Sequence, residues 1–223
     1  MRMHKLILFD WENAFLDIYS EDYTVFDARR DILVELKPKE PIILLGMFDN
    51  PCFTLKNGDA FDNFVAQHLN RAGCSCTVDD FKSCYLKHFR KVSWWDDMVD
   101  FTNSLAACDQ FHVGIFASLC EMDLQLIKEK IAWKNIDYCF CSFNLGVQRP
   151  DPGIYGIVET VSGCSGDDIL FISDAATNSP LAMFRHWNTV NITGENFPVV
   201  QKSCLDFLEG CTEFIMNGAG IPV

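Results

Sequence analysis

Four apolar runs in this sequence are each followed by a polar residue that could do chemistry. These residues are Asp10, Ser118, Arg149 and Asp174, with Asn178 shortly after the last of them. Carboxylates can act as nucleophiles and can hold a divalent cation such as Mg²⁺, while a guanidinium or hydroxyl can bind phosphate oxygens. If the runs are parallel strands, their carboxyl ends open on one crevice. The set then suits phosphoryl transfer through an aspartyl intermediate.

The runs have the length and composition of buried strands. They cover residues 5–9, 113–116, 138–141 and 169–172, and a weaker one covers 190–192. Helical spacing of apolar residues separates them at 122–131, 153–161 and 179–187. Strands that alternate with helices in this way predict an α/β fold, with a doubly wound parallel sheet covered on both faces.

A long segment after the first strand breaks this alternation. It contains two helical patterns, 59–69 and 78–89, and Thr77 followed by Asp79 and Asp80 is typical of a helix start. We therefore predict a small helical cap at residues 17–92, inserted into a core formed by 1–16 and 93–223. Residues 41–45 are flanked by Pro38 and Pro41, which favours a tight helix or an extended loop.

Composition narrows the possible partners. The chain of 223 residues has a formal charge of −13, which disfavours binding to nucleic acid or to anionic membrane surfaces. No apolar run approaches the ~18 residues that span a bilayer, and the first run is too short for a signal peptide, so we expect a cytoplasmic protein. The expected partner is a small molecule, and the choice between monomer and homodimer stays open.

The cysteines and histidines do not predict a metal cluster. The pairs Cys74/Cys76 and Cys139/Cys141 are each separated by one residue, whereas zinc sites usually have a wider gap. No two of the five histidines have metal-ligand spacing. We therefore expect the 11 cysteines to be mostly buried free thiols.

The order of the polar motifs resembles that of the haloacid dehalogenase-like (HAD) hydrolases. The resemblance rests on Asp10 after a hydrophobic strand, on Ser118, on the run Arg149-Pro-Asp-Pro-Gly-Ile-Tyr155, and on Ser173-Asp174 followed by Asn178. It covers about residues 5–195. The early helical insertion makes the chain most similar to the small sugar-phosphate phosphatases of that superfamily.

This resemblance implies a role for each motif residue. Asp10 would attack the phosphoryl group of a small phosphoester, and Glu12 would move the proton. The Mg²⁺ ligands would be Asp10, the backbone carbonyl of Glu12, and Asp174. The substrate-binding residues would be Ser118, Arg149 and Asn178, of which Arg149 also belongs to the catalytic set.

Four positions depart from the family pattern. Glu12 stands where many of these phosphatases have Asp, Arg149 replaces a Lys, and Ser173 replaces one of two metal-binding acids. Alignment on the preceding glycine puts Ala117 at the family's Ser or Thr position, whereas alignment on the hydroxyl selects Ser118. Arg binds phosphate as a fork and lacks the compact geometry of Lys.

These departures leave three functions open. The favoured one is a Mg²⁺-dependent phosphatase. A catalytically weak or inactive relative would bind a phosphometabolite or a protein partner, and a dehalogenase-like hydrolase would use Asp10 without a metal. Ser118 also has a purely structural alternative, because Ser118 and Glu121 fit the capping-box pattern of a helix start.

Overall fold

The centre of the fold is a five-stranded sheet. The structure is a computed structural model that describes residues 4–17, 20–173, 179–192 and 197–208, without the side chains of residues 12, 13 and 179. The strands are β1 (Leu6–Phe9), β2 (His112–Ala117), β3 (Tyr138–Cys141), β4 (Ile169–Ser173) and β5 (Asn188–Asn191). Their order is β3-β2-β1-β4-β5, and every neighbouring pair is parallel. The predicted α/β fold with a parallel sheet is therefore confirmed.

The three central strands β1, β2 and β4 are buried on both faces, which explains why they are nearly continuous apolar runs, whereas the edge strand β5 exposes Asn188 and Asn191. In β1, Ile7 and Phe9 pack into one hydrophobic cluster, and Leu6 and Leu8 pack into a second cluster on the other face. The helices after β2 to β5 are α8 (Glu121–Lys130), α9 (Ser142–Leu145), α10 (Pro152–Ser162), α11 (Ser179–Phe184) and α12 (Phe197–Phe207). The predicted helix at 179–187 is shorter than expected: it ends at Phe184, and the positive φ of 62° at His186 is incompatible with a continued helix.

The segment between β1 and β2 is helical throughout its regular parts. It contains α1 (Glu12–Phe15), α2 (Val25–Leu36), α3 (Pro41–Phe48), α4 (Pro51–Leu55), α5 (Gly58–Arg71), α6 (Val78–Phe89) and α7 (Asp96–Ala106). The predicted start of α6 is confirmed, since the Thr77 side chain accepts a hydrogen bond from the Asp80 N–H. Of the two alternatives for residues 41–45, the helix is correct. None of the helices in the described ranges has the length and apolar character needed to cross a membrane.

The two ends of the inserted segment lie side by side. Leu16 forms an antiparallel bridge with Trp94, and the Asp17 N–H donates a hydrogen bond to the Ser93 carbonyl at 2.9 Å. The ring centroids of Trp11 and Trp94 are 5.1 Å apart, in an edge-on arrangement. This closure supports the division into a core of 1–16 and 93–223 and a cap of 17–92, which we retain as a proposal.

Hydrogen bonds connect the inserted helices to helix α8, which follows β2, and to the loop that precedes α10. The Tyr85 hydroxyl of α6 donates to Asp123 Oδ1 of α8 at 2.6 Å. Thr54 Oγ1, in α4, donates to Gln148 Oε1 at 2.9 Å. Because Gln148 directly precedes Arg149, this second contact helps to fix the loop that carries the arginine.

Candidate active site

Asp10 lies at the carboxyl end of the central strand. Its backbone N–H donates to the Ile172 carbonyl at 2.9 Å, which continues the β1–β4 ladder by one residue. Only 4% of its surface is exposed. A carboxylate in such a place requires hydrogen-bond donors or an opposite charge.

Arg149 supplies that charge as a fork. Its Nη1 donates to Asp10 Oδ2 at 2.8 Å, and its Nη2 donates to Oδ1 at 2.6 Å. The Ser173 hydroxyl at the end of β4 donates to Oδ2 at 2.7 Å, and the Trp11 N–H donates to Oδ1 at 2.7 Å. Charge-assisted bidentate pairs of this kind are short and fixed in direction. Asp10, Arg149 and Ser173 thus come together from β1, from the loop before α10, and from β4.

Two phenylalanine rings hold the guanidinium in position. Arg149 Cζ lies 5.2 Å from the ring centroid of Phe116 and 5.4 Å from that of Phe171. Both distances are within the range of a cation–π contact. Arg149 Nε is buried and has no hydrogen-bond partner among the described residues. No motif in the sequence marks these rings, which pack in one hydrophobic cluster with Tyr155 of α10.

Tyr155 adds a buried phenol beside this pair. It is fully buried, and its ring packs edge-on against Phe116 at 5.3 Å. Burial, offset in part by the charge of Arg149, raises the pKa of Tyr155 to about 12. The phenol is therefore neutral at physiological pH.

Ser118 follows β2 but is not part of the Asp10 hydrogen-bond network that the described residues form. The alternative that it caps the next helix is wrong. The N-cap of α8 is Cys120, whose N–H donates to Asp123 Oδ2 at 2.9 Å. Asp123 is available for this contact because the Tyr85 hydroxyl holds it in the interior. Ala117, the other candidate from the alignment, is buried at the last position of β2.

The remaining predicted site residues lie partly or wholly outside the described structure. The backbone of Glu12 begins α1, two residues after Asp10, but its side chain lies outside the described residues. Asp174 and Asn178 also lie outside them. Their predicted roles in binding metal and substrate stay predictions.

The described residues do not form a magnesium site in this arrangement. A carboxylate has about four lone-pair positions, and Arg149, Ser173 and Trp11 direct four donors at the two oxygens of Asp10. A divalent cation can share Asp10 only after Arg149 releases an oxygen. The serine at position 173 also leaves Asp10 as the one carboxylate at the centre of the described site.

The fold was compared with known proteins. The sequence matches no protein-family model, and a search of curated proteins found no match. Among solved structures, the magnesium complex of HAD family enzyme BT-2542 from Bacteroides thetaiotaomicron is similar with a TM-score of 0.70 and 12% identity, over 89% of this chain and 98% of that chain. A predicted HAD-like family hydrolase from Porphyromonas gingivalis has a TM-score of 0.67 and 16% identity, over 90% and 97%.

A third similar structure belongs to an enzyme that is named for its reaction. The 2-haloacid dehalogenase from Pseudomonas syringae pv. Tomato DC3000 gives a TM-score of 0.57 and 18% identity, over 85% of this chain and 86% of that chain. At such identities the likeness establishes architecture and leaves the reaction open. Together with the parallel sheet and the helices inserted after β1, it shows that this chain has the fold of the HAD superfamily.

Proposed function

We propose that this chain is a HAD-type hydrolase that cleaves a small phosphoester, with Asp10 as its nucleophile. The observation that carries the proposal is the Asp10–Arg149 fork at the carboxyl end of the central strands. It places a nucleophilic carboxylate next to a planar cation that can bind two oxygens of a phosphate.

In the proposed reaction, Arg149 transfers from Asp10 to the oxygens of the incoming phosphate, and Ser118 and Asn178 contribute further hydrogen bonds. An Asp10 oxygen bonds to phosphorus while the bond from phosphorus to the leaving oxygen breaks. Glu12 gives the proton to that oxygen. Water then attacks phosphorus and gives a proton back to Glu12 while the bond to Asp10 breaks, and inorganic phosphate leaves.

Magnesium enters this proposal as a prediction from the resemblance, which names Asp10, the Glu12 carbonyl and Asp174 as its ligands. Mg²⁺ would supply positive charge for the phosphoryl oxygens. Because Arg149 occupies both oxygens of Asp10 in this structure, we assign no step of the reaction to the metal.

A metal-independent dehalogenase-like hydrolase is the second candidate. The observation in its favour is that Arg149 neutralises the charge of Asp10 and that the Ser173 hydroxyl donates a hydrogen bond to it. Asp10 would attack the carbon that bears the halogen, halide would leave, and water would hydrolyse the resulting ester. In this reaction Arg149 would bind the carboxylate of the substrate before Asp10 attacks.

The two candidates are separated by product and by metal requirement. The assay measures phosphate release from a panel of sugar and nucleotide phosphates with Mg²⁺ or with a chelator, and halide release from small 2-haloacids. We expect phosphate release that a chelator abolishes. Halide release that persists in chelator would support the second candidate instead.

Asp10→Asn is the decisive variant, and Asp22→Asn, at an exposed position, is its matched control. We expect the first to abolish turnover and the second to leave it unchanged. Full phosphate release by Asp10→Asn would refute the proposal. A thermal shift with inorganic phosphate but no turnover of either substrate class would identify an inactive, ligand-binding relative.

A further inference from the structure

Two helices of the inserted segment bring three metal-ligand side chains together. Cys84 and His88 lie one turn apart on α6, and Glu35 lies on α2. One ligand atom from each of the three side chains lies within 4.8 Å of the others. Cys84 is 3% exposed and His88 is 5% exposed, so both are fixed within the packed helices. None of these residues belongs to the Asp10 site.

The imidazole of His88 is oriented from its other side. Tyr23 donates its hydroxyl hydrogen to Asp31 Oδ2 at 2.8 Å, and the same hydroxyl oxygen lies 3.3 Å from His88 Nδ1. Since that hydrogen is committed to Asp31, the oxygen can accept from an Nδ1–H. Lys91 Nζ lies 3.5 Å from Nδ1, and Asp31 Oδ2 lies 3.9 Å from it. Asp31 therefore supports the imidazole through the Tyr23 hydroxyl, in the manner of the outer hydrogen-bond partners that orient a metal-bound histidine.

His88 Nε2 faces Glu35 Oε2 at 2.8 Å. This is a hydrogen bond when Nε2 carries a proton, and a metal can take the place of that proton if the two atoms move apart slightly. The Lys87 ammonium also donates to Glu35 Oε2, at 2.7 Å. Glu35 is the exposed member of the set, with 39% of its side chain accessible, so solvent can complete the coordination.

We propose that Glu35, Cys84 and His88 bind a divalent transition-metal ion, Zn²⁺ in the first instance. A thiolate, an imidazole and a carboxylate are ligands that zinc accepts, with water in the fourth position. The ion would neutralise the thiolate and the carboxylate, and it would link α2 to α6. Because zinc binds a thiolate, binding at Cys84 would release the thiol proton.

The test uses the full chain without a histidine tag, stripped of metal and kept reduced. Zn²⁺ binding is measured by titration calorimetry, and Co²⁺ serves as a spectroscopic probe because thiolate coordination gives a charge-transfer band. We expect one ion per chain and a rise in Tm with Zn²⁺. Cys84→Ser and His88→Gln should each raise Kd at least roughly 100-fold, since even outer-sphere changes cost 10–100-fold.

Other thiols provide the control. Cys139 Sγ and Cys141 Sγ lie 2.8 Å apart on β3, so Cys139→Ser tests whether that pair captures the ion. Retention of binding in Cys139→Ser, with its loss in Cys84→Ser and His88→Gln variants that still unfold cooperatively, supports the site. Absence of stoichiometric binding overturns the proposal, as does binding that survives both the Cys84 and His88 substitutions.

Discussion

Replacing Arg149 by Met tests how strongly the buried ion pair between Asp10 and Arg149 stabilises the fold. The pair has only 6% and 7% side-chain exposure on Asp10 and Arg149, so solvent screens it little. Removing the guanidinium leaves a buried carboxylate that keeps the Ser173 and Trp11 donors but loses the opposite charge. Loss of one partner from a buried pair costs about 3–5 kcal/mol. For a chain of this size, that lowers Tm by roughly 6–20 °C.

The assay is urea unfolding at neutral pH, with a surface pair as the matched control. Arg90 forms an equally well-directed fork with Glu129, at 2.9 and 2.8 Å. Their side chains are 47% and 39% exposed. The control variant Arg90→Met should therefore cost less than about 1 kcal/mol.

A double variant separates the pair's charge from its packing. Met keeps an apolar side chain of similar length beside Phe116 and Phe171 but removes the guanidinium, and Asn at position 10 removes the charge that is then left unpaired. Asp10→Asn/Arg149→Met should therefore be less destabilised than the sum of the two single variants, by at least about 1 kcal/mol. The reasoning is refuted if Arg149→Met costs no more than Arg90→Met, or if the two single effects simply add.

Two further predictions concern the core. Gly114→Ala should lower the free energy of unfolding in urea by about 1–3 kcal/mol, because its Cβ would lie 3.0 Å from Leu8 Cδ2 and 3.0 Å from the Tyr138 carbonyl oxygen. The control Gly46→Ala, in helix α3 with open space around it, should raise the free energy of unfolding by about 0.5–1 kcal/mol. Equal effects of the two substitutions would contradict the contact argument. Burial raises the pKa of Asp123, so its contribution to stability is present below about pH 4, the ordinary value, and is lost as pH rises through the folded-state value. The free energy of unfolding of Asp123→Asn minus that of the wild type should therefore increase as pH rises above about 4. A decrease of this difference over the same range would contradict the raised pKa of Asp123.

The sequence predicts the three central strands β1, β2 and β4 well because each is buried on both faces. An apolar run such as Ile169–Ser173 needs no partner to be recognised, and the polar residue after it then marks the strand end. The approach of Arg149 to Asp10 follows from topology alone, since parallel strands end at one edge of the sheet. The role of Ser173 as a hydrogen-bond donor to Asp10 was missed, because the resemblance treats that position as a lost acid.

Contacts between distant segments explain what the sequence does not predict. A local pattern offers Ser118 as one alternative start of α8, whereas Cys120 forms the cap because Asp123 is held by Tyr85 from another helix. The Glu35–Cys84–His88 group was missed for the same reason. Cys84 and His88 are neighbours on one helix face, but the third side chain comes from α2.

The charge of the buried pair bears on the choice between the two proposed reactions. Asp10 and Arg149 together are neutral, and the chain around them carries −13. A phosphomonoester brings a charge of about −2 at pH 7, so its entry leaves a strongly negative, poorly solvated site once Arg149 has moved to the phosphate. A haloacid brings a single negative charge. The charge balance therefore favours a further cation for phosphate cleavage more than for dehalogenation, and the effect of a chelator on turnover measures this difference.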